Sequence, residues 1–156
     1  MILVTGASGF VGSAVVRALL ERGEVVRVLM RPASDRQNIA DLDVDVVEGD
    51  LLQPGSLKDA VQGCTGLYHV AADYRLWTRD PAAMFRANVD GSCAIISAAA
   101  KAGVERIVYT SSVAVLGIVP GDNGDEDTPV TYADMIGVYK RSKYCAEEAV
   151  RAVIDE

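Results

Sequence analysis

An α/β fold with an open, doubly wound parallel sheet in the strand order 3-2-1-4-5 is what this sequence predicts, on three observations. Short apolar runs alternate with helical patterns along the chain. The runs are compact and rich in β-branched residues, as in strands covered on both faces, and do not alternate apolar with polar. A glycine-rich turn joins the first run to the first helical pattern.

Taken in order, Ile2-Leu3-Val4-Thr5 is a strand closed by Gly6, and Val11, Val15, Ala18 and Leu19 then recur at helical spacing until Gly23. Residues 25–29, 44–47, 67–70 and 106–110 read as strands two to five. Residues 81–102 read as one long helix with Phe85, Val89, Ile96 and Ala100 as its inner stripe, Pro81 in its first turn and Gly103 as its C-cap. Residues 119–131 carry Pro120, Gly121, Gly124 and Pro129 with four acids, Asp122, Asp125, Glu126 and Asp127, and read as a solvated surface loop. A last helix is expected from about Asp134. It reaches Asp155-Glu156 without a cap, with negative charge where a helix dipole favours positive charge, which reads as a cut.

Composition narrows the function classes. Half of the 156 residues are hydrophobic and 24% are charged, values of an ordinary single domain that exclude disorder and low complexity. Fifteen basic against twenty-two acidic side chains give a net charge of −7, which repels a polyphosphate strand and excludes nucleic acid as a partner. No stretch approaches the ~20 apolar residues of a membrane span, and the first strand opens the chain without a basic leader. The expected location is therefore cytoplasmic. Cys64, Cys93 and Cys145 are odd in number and far apart, which fits neither a disulfide framework nor a metal site and predicts reduced, buried thiols.

Thr5-Gly6-Ala7-Ser8-Gly9-Phe10-Val11-Gly12 spaces three glycines three residues apart between the first strand and the first helix. In that context Gly6 permits the sharp turn, Gly9 lets a pyrophosphate approach the backbone, and Gly12 lets the helix pack close to its strand. The helix start offers its unpaired N–H groups to the phosphates, as in a Rossmann-type nucleotide-binding half. About 20 residues on, where an NAD-binding fold often carries an acid for the ribose 2′-hydroxyl, stands Leu29-Met30-Arg31. A guanidinium there suits the 2′-phosphate of NADP, with NAD as the other candidate cofactor. Asp50, after the third strand, is placed for the adenine edge.

Tyr139 and Lys143 stand four apart on the last helix and share a face. A phenol is a poor acid or base at its ordinary pKa of ~10, and a neighbouring ammonium favours its phenolate, which suits the pair to proton transfer. Tyr109-Thr110-Ser111-Ser112 closes the fifth strand at the sheet edge where ligands of open α/β folds bind. His69, the single histidine, has no ligand partner at a recognisable spacing and reads as a core or backbone-paired residue. Tyr74 and Trp77 either line a substrate pocket or anchor their own loop.

Together these motifs resemble the extended short-chain dehydrogenase/reductases of the NAD-dependent epimerase/dehydratase superfamily. The likeness runs through the glycine turn, Gly49-Asp50-Leu51, His69-Val70-Ala71-Ala72, Asn88-Val89-Asp90-Gly91, Ser111-Ser112 and Tyr139-Lys140-Arg141-Ser142-Lys143. Within that family, residues 72–77 and 136–143 look like hopanoid-associated proteins labelled sugar epimerases, which are in turn similar to dihydroflavonol 4-reductases. The resemblance implies Tyr139 as general acid/base, Lys143 as its tuning group and a ligand of the nicotinamide ribose, and Ser112, favoured over Ser111, as hydrogen-bond donor to the substrate oxygen. It implies Asn88 as a support of the lysine through water. Thr5, Gly6, Ser8, Gly9, Phe10, Val11, Gly12, Arg31, Asp50, Leu51, Val70, Ala71 and Ala72 would line the cofactor.

Family members are longer, so residues 1–156 would be the dinucleotide-binding domain with its catalytic residues, without the substrate domain. The expected activity is NAD(P)-dependent reduction of a carbonyl on a small-molecule substrate. A nucleotide-sugar epimerase and a non-catalytic dinucleotide-binding module stand as alternatives, and a homodimer is left open. A dehydratase lacks its carboxyl group, because Val113-Ala114 follow the serines.

Overall fold

The computed structural model describes residues 1–154. Asp155 and Glu156, on which the expected acidic helix end rests, lie outside the described residues. The chain forms two compact units, residues 1–72 with 94–110, and residues 73–93 with 111 onward.

The first unit holds the sheet. Its strands are β1 (Ile2–Thr5), β2 (Val26–Met30), β3 (Asp45–Glu48), β4 (Gly66–His69) and β5 (Arg106–Tyr109). They pair in the order β3-β2-β1-β4-β5, all parallel. The Rossmann-type expectation is thus met, each strand lying within one residue of its expected bounds. β1 is central because it is the most apolar run, and Leu3 and Val4 are fully buried. Thr5 stands beside Leu29 on one side and His69 on the other. The carboxyl edge therefore presents the glycine turn, Arg31 and residues 70–72 of this unit together. Leu3, Val4, Val16, Val28 and Leu67, all fully buried, gain about 1.5–3 kcal/mol each from leaving water.

Helix α1 (Phe10–Glu21) corrects the expected stripe: Gly12, Val16 and Leu19 face the sheet, whereas Val11 and Ala18 are exposed and Val15 is half-buried. The phase is set by Gly12, which must lie against the turn backbone (below) and so brings residues four and seven further on to the same side. Helix α2 (Pro54–Val61) turns Leu57, Ala60 and Val61 inward.

The expected helix of residues 81–102 is three consecutive pieces: α3 (Pro81–Phe85), a π-helical turn (Arg86–Asp90) and α4 (Gly91–Lys101). Its buried face runs through Met84, Asn88, Ser92, Ile95, Ile96 and Ala99, while Phe85 and Val89 are only half-buried and Ala100 is exposed. Ile96 is buried as expected, but an apolar-period reading skips a buried asparagine and a buried serine, and so places Phe85, Val89 and Ala100 one residue late.

The second unit is built on α5 (Val138–Ile154), packed against α3, the π-helical turn and two 3-10 turns, Val113–Val115 and Tyr132–Asp134. α5 starts four residues later than expected because Met135 is extended and Gly137 takes φ +88°, a conformation that breaks the helix. Residues 119–131 form the expected loop with its four acids exposed. Cys64 is buried but Cys93 and Cys145 are only half-buried, and burial pushes all three free thiols up from their ordinary pKa. No helix among the described residues is long and apolar enough to cross a membrane.

Candidate active site

In the first unit the glycine turn is closed at two points and open at a third. Gly6 has φ +73°, and a Cβ on it would lie 2.7 Å from the Ala71 amide nitrogen. A Cβ on Gly12 would lie 2.1 Å from the Gly6 carbonyl oxygen. Both positions admit only hydrogen, since under 3.0 Å the backbone itself would have to move. Gly9 is exposed and only the Gly6 carbonyl lies near it, so the backbone there is accessible to a ligand. Gly9 also carries no side-chain cap for α1, leaving the positive end of that helix open. These features fit a dinucleotide pyrophosphate.

Thr5 is only 1% exposed, and its hydroxyl lies 2.6 Å from His69 Nδ1 while accepting the Ala71 N–H at 3.2 Å. It therefore braces the turn from behind. His69 is buried, pairs there and stacks on Tyr109, as a core histidine does. Asn38, which no motif reading singled out, donates from Nδ2 to the Ser8 carbonyl at 2.7 Å and holds the turn from the side. Phe10 is 89% exposed and Val11 is exposed beside it. Arg31 is exposed directly after β2, whereas Arg36 is committed to Glu48 at 3.0 Å. One oxygen of the Asp50 carboxylate accepts the Leu52 N–H at 2.9 Å, which leaves the other for a ligand. Leu51, Val70, Ala71 and Ala72 are half-buried at the same edge.

The second unit gathers the expected catalytic residues. Tyr139 donates its hydroxyl hydrogen to Ser112 Oγ at 3.4 Å, and Ser112 Oγ also accepts the Ala114 N–H at 3.1 Å as the cap of its 3-10 turn. Ser111, its neighbour, donates instead to Glu147. Lys143, one turn after Tyr139 on α5, is 2% exposed. Burial holds its ammonium down at about 8, partly opposed by the Glu147 carboxylate. Asn88 is 1% exposed; its Oδ1 accepts the Asp73 N–H at 2.7 Å, and Nδ2 donates to the Asp73 carbonyl and the Ser142 hydroxyl, both at 2.9 Å. Both amide hydrogens are thus spent on shaping the unit, and a water can reach only the second lone pair of Oδ1. Ser142 passes its own hydrogen to the Tyr139 carbonyl at 2.8 Å, linking Asn88 to the backbone of the tyrosine. Asp73 is held through its backbone, so Tyr74, Leu76 and Trp77, 77%, 85% and 72% exposed, do not anchor their loop.

The buried ammonium has a cost that can be measured. Between pH 8 and the ordinary lysine value of 10.5 the unfolded chain binds a proton that the folded chain has released. Stability therefore rises with pH across that window, and the cost is fully present below it. Lys143→Met is expected to raise unfolding free energy at pH 7 by about 1–3 kcal/mol and to flatten the rise above pH 8. Urea unfolding at pH 7 and at pH 9.5 checks it; a less stable Met variant at pH 7 contradicts it.

A Rossmann-type sheet with a glycine turn, together with a serine, tyrosine and lysine set, defines the short-chain dehydrogenase/reductase class. Residues 2–156 match the NAD dependent epimerase/dehydratase family, and the chain belongs to it. It is 49% identical over 146 residues, 93% of its length, to a Synechocystis sp. protein provisionally named a dihydroflavonol 4-reductase, of which it covers 42%. All of it superposes on 48% of the solved structure of gox2253 with a TM-score of 0.95 and 54% identity. Likewise, 97% of it superposes on 50% of the UDP-glucose 4-epimerase of Thermus thermophilus in complex with NAD, with a TM-score of 0.84 and 28% identity. The chain spans about half the length of these relatives.

Proposed function

We propose that the chain is the dinucleotide-binding and catalytic part of an NADP-dependent carbonyl reductase. The observation that carries this is the Tyr139 and Ser112 hydroxyl pair, 3.4 Å apart, with Lys143 one helical turn further on. Two hydroxyls at that separation can both donate to a single oxygen placed between them, which is how a carbonyl is gripped and polarised. The dinucleotide, when bound, supplies the hydride. Tyr139 delivers a proton from its phenol oxygen to the substrate oxygen, and Ser112 keeps that oxygen in line. Lys143 supplies positive charge on the face that Tyr139 occupies. The exposed Tyr74, Leu76 and Trp77 offer an apolar surface to a carbon skeleton. Residues 1–156 act as one functional domain in this reading, with substrate selection carried by further chain in the longer relatives.

The likeness to the Thermus epimerase favours a second reading, a nucleotide-sugar epimerase using the same residues. Tyr139 would first take a proton from a sugar hydroxyl and later return it. The two readings differ in their use of cofactor. Protein carrying this chain, incubated with NADPH and separately with ketones and nucleotide sugars, is expected to oxidise NADPH with a ketone. Sugar isomerisation without net NADPH loss would establish the epimerase instead.

Cofactor choice rests on Arg31. A guanidinium can donate paired, charge-assisted hydrogen bonds to a 2′-phosphate that a carboxylate would repel. Such bonds contribute about 1.5–3 kcal/mol, so NADPH is expected to bind roughly ten- to a hundredfold tighter than NADH. Arg36, paired with Glu48, contributes less. Arg31→Asp is expected to erase or reverse the preference, chiefly by weakening NADPH. Calorimetric titration of both cofactors decides it, and equal wild-type affinities would make Arg31 a solvated strand-end charge.

A further inference from the structure

Glu147 stands where the catalytic part of the second unit is tied together. Ser111 Oγ donates to one oxygen of its carboxylate, and Arg151 donates to the other through Nη2 at 2.9 Å and Nε at 3.3 Å. It lies four residues after Lys143 and eight after Tyr139, on the same face of α5. Its side chain is 25% exposed, so water screens these interactions only in part. Ser111 directly precedes Ser112, whose hydroxyl faces that of Tyr139. One carboxylate thus holds the segment bearing Ser112 onto the helix bearing Tyr139 and Lys143.

We propose that Glu147 is a positioning residue: through Ser111 it fixes the Ser112 hydroxyl opposite Tyr139, and it supplies the negative charge one turn from Lys143. The inference rests on the roles proposed above for Ser112, Tyr139 and Lys143. It also gives Ser111 an occupation other than gripping substrate. The charges on both partners agree with this. Burial pushes the Glu147 carboxyl up, but the Ser111 hydrogen bond and the Arg151 and Lys143 charges outweigh it and hold the group below its ordinary value. Burial pushes Lys143 down, and Glu147 is the charge that opposes it. The elements packed against α5 bring Arg86 and Asp90 on the π-helical turn and Tyr132 and Asp134 on the second 3-10 turn. Arg86 is paired with Asp80 at 3.6 Å and Asp134 with Thr131 at 2.7 Å.

Two variants separate the anchor from the charge. Glu147→Gln keeps an oxygen for Ser111 and removes the charge; Ser111→Ala removes the anchor and keeps the charge. With isotope-labelled lysine, the NMR titration midpoint of Lys143, assigned by its loss in Lys143→Met, is expected to fall by about one pH unit in Glu147→Gln and to stay put in Ser111→Ala. In turnover assays Ser111→Ala is expected to lower kcat about tenfold, with Ser111→Thr restoring it and cofactor affinity unchanged. An unmoved Lys143 midpoint in Glu147→Gln, or wild-type kcat in Ser111→Ala, overturns the corresponding half. A wild-type rate in Tyr139→Phe would instead remove the proposed chemistry, and the Lys143 titration would still report on Glu147.

Discussion

Tyr139→Phe is expected to lower kcat by roughly 10²–10⁴ while leaving cofactor affinity within about twofold, because only a transferable proton is lost. The variant keeps the ring, and so keeps the packing of a half-buried side chain. It leaves no orphan behind, since Ser112 Oγ still accepts the Ala114 N–H at 3.1 Å. Stability should therefore change by no more than about 1 kcal/mol, the net worth of one hydrogen bond. Steady-state rates at saturating cofactor, with a parallel cofactor titration and a melting curve, separate the three quantities. A Phe variant with unchanged kcat takes Tyr139 out of the chemistry; one with collapsed cofactor binding makes it a binding residue.

The largest effect on stability is expected from Gly12→Ala. Its new methyl group would sit 2.1 Å from the Gly6 carbonyl oxygen and 2.6 Å from the carbonyl carbon, and backbone on both sides must separate to admit it. Gly6 cannot yield easily, because its own Cα faces the Ala71 backbone. A loss of about 2–4 kcal/mol follows, at the upper end for overpacking, with a fall in Tm of roughly 5–15 °C. Gly55→Ala is the control: it lies within α2, meets nothing within 4 Å, and should be neutral or stabilising by up to about 1 kcal/mol as alanine replaces glycine in a helix. Thermal melts of the two variants side by side test it, and equal melting points would mean that the turn can open without cost.

Strands were legible because each is a short apolar run flanked by turn residues, and the glycine turn was legible because its context between strand and helix is local. The four-residue spacing of Tyr139 and Lys143 on one helix, α5, was legible for the same reason. Helix phase was not: in α1 the requirement that Gly12 touch Gly6 outweighs the apolar positions, and around the π-helical turn a buried asparagine takes a place that an apolar stripe leaves out. Asn38 and Glu147 escaped notice because their bonds, to Ser8 and Ser111, cross 30 and 36 residues of sequence. Periodicity carries no record of a partner that far away. Lys143 and Glu147, by contrast, share the i,i+4 spacing of Tyr139 and Lys143, and extending that spacing one more turn would have reached the carboxylate.

The central place of β1 sets a schedule for synthesis. Ile2–Thr5 leaves the ribosome before either of its sheet neighbours, and the second of them, Gly66–His69, follows about 60 residues later, a wait of roughly 3–12 s at ordinary translation rates. Over that interval the nascent chain can pair β1 with β2 on one side only, and the other edge stays open to any extended apolar strand nearby. Parallel pairing across such separations is slow even in the finished chain. Nascent chains paused before residue 66 should accordingly be the ones on which a chaperone for extended apolar segments has its longest hold.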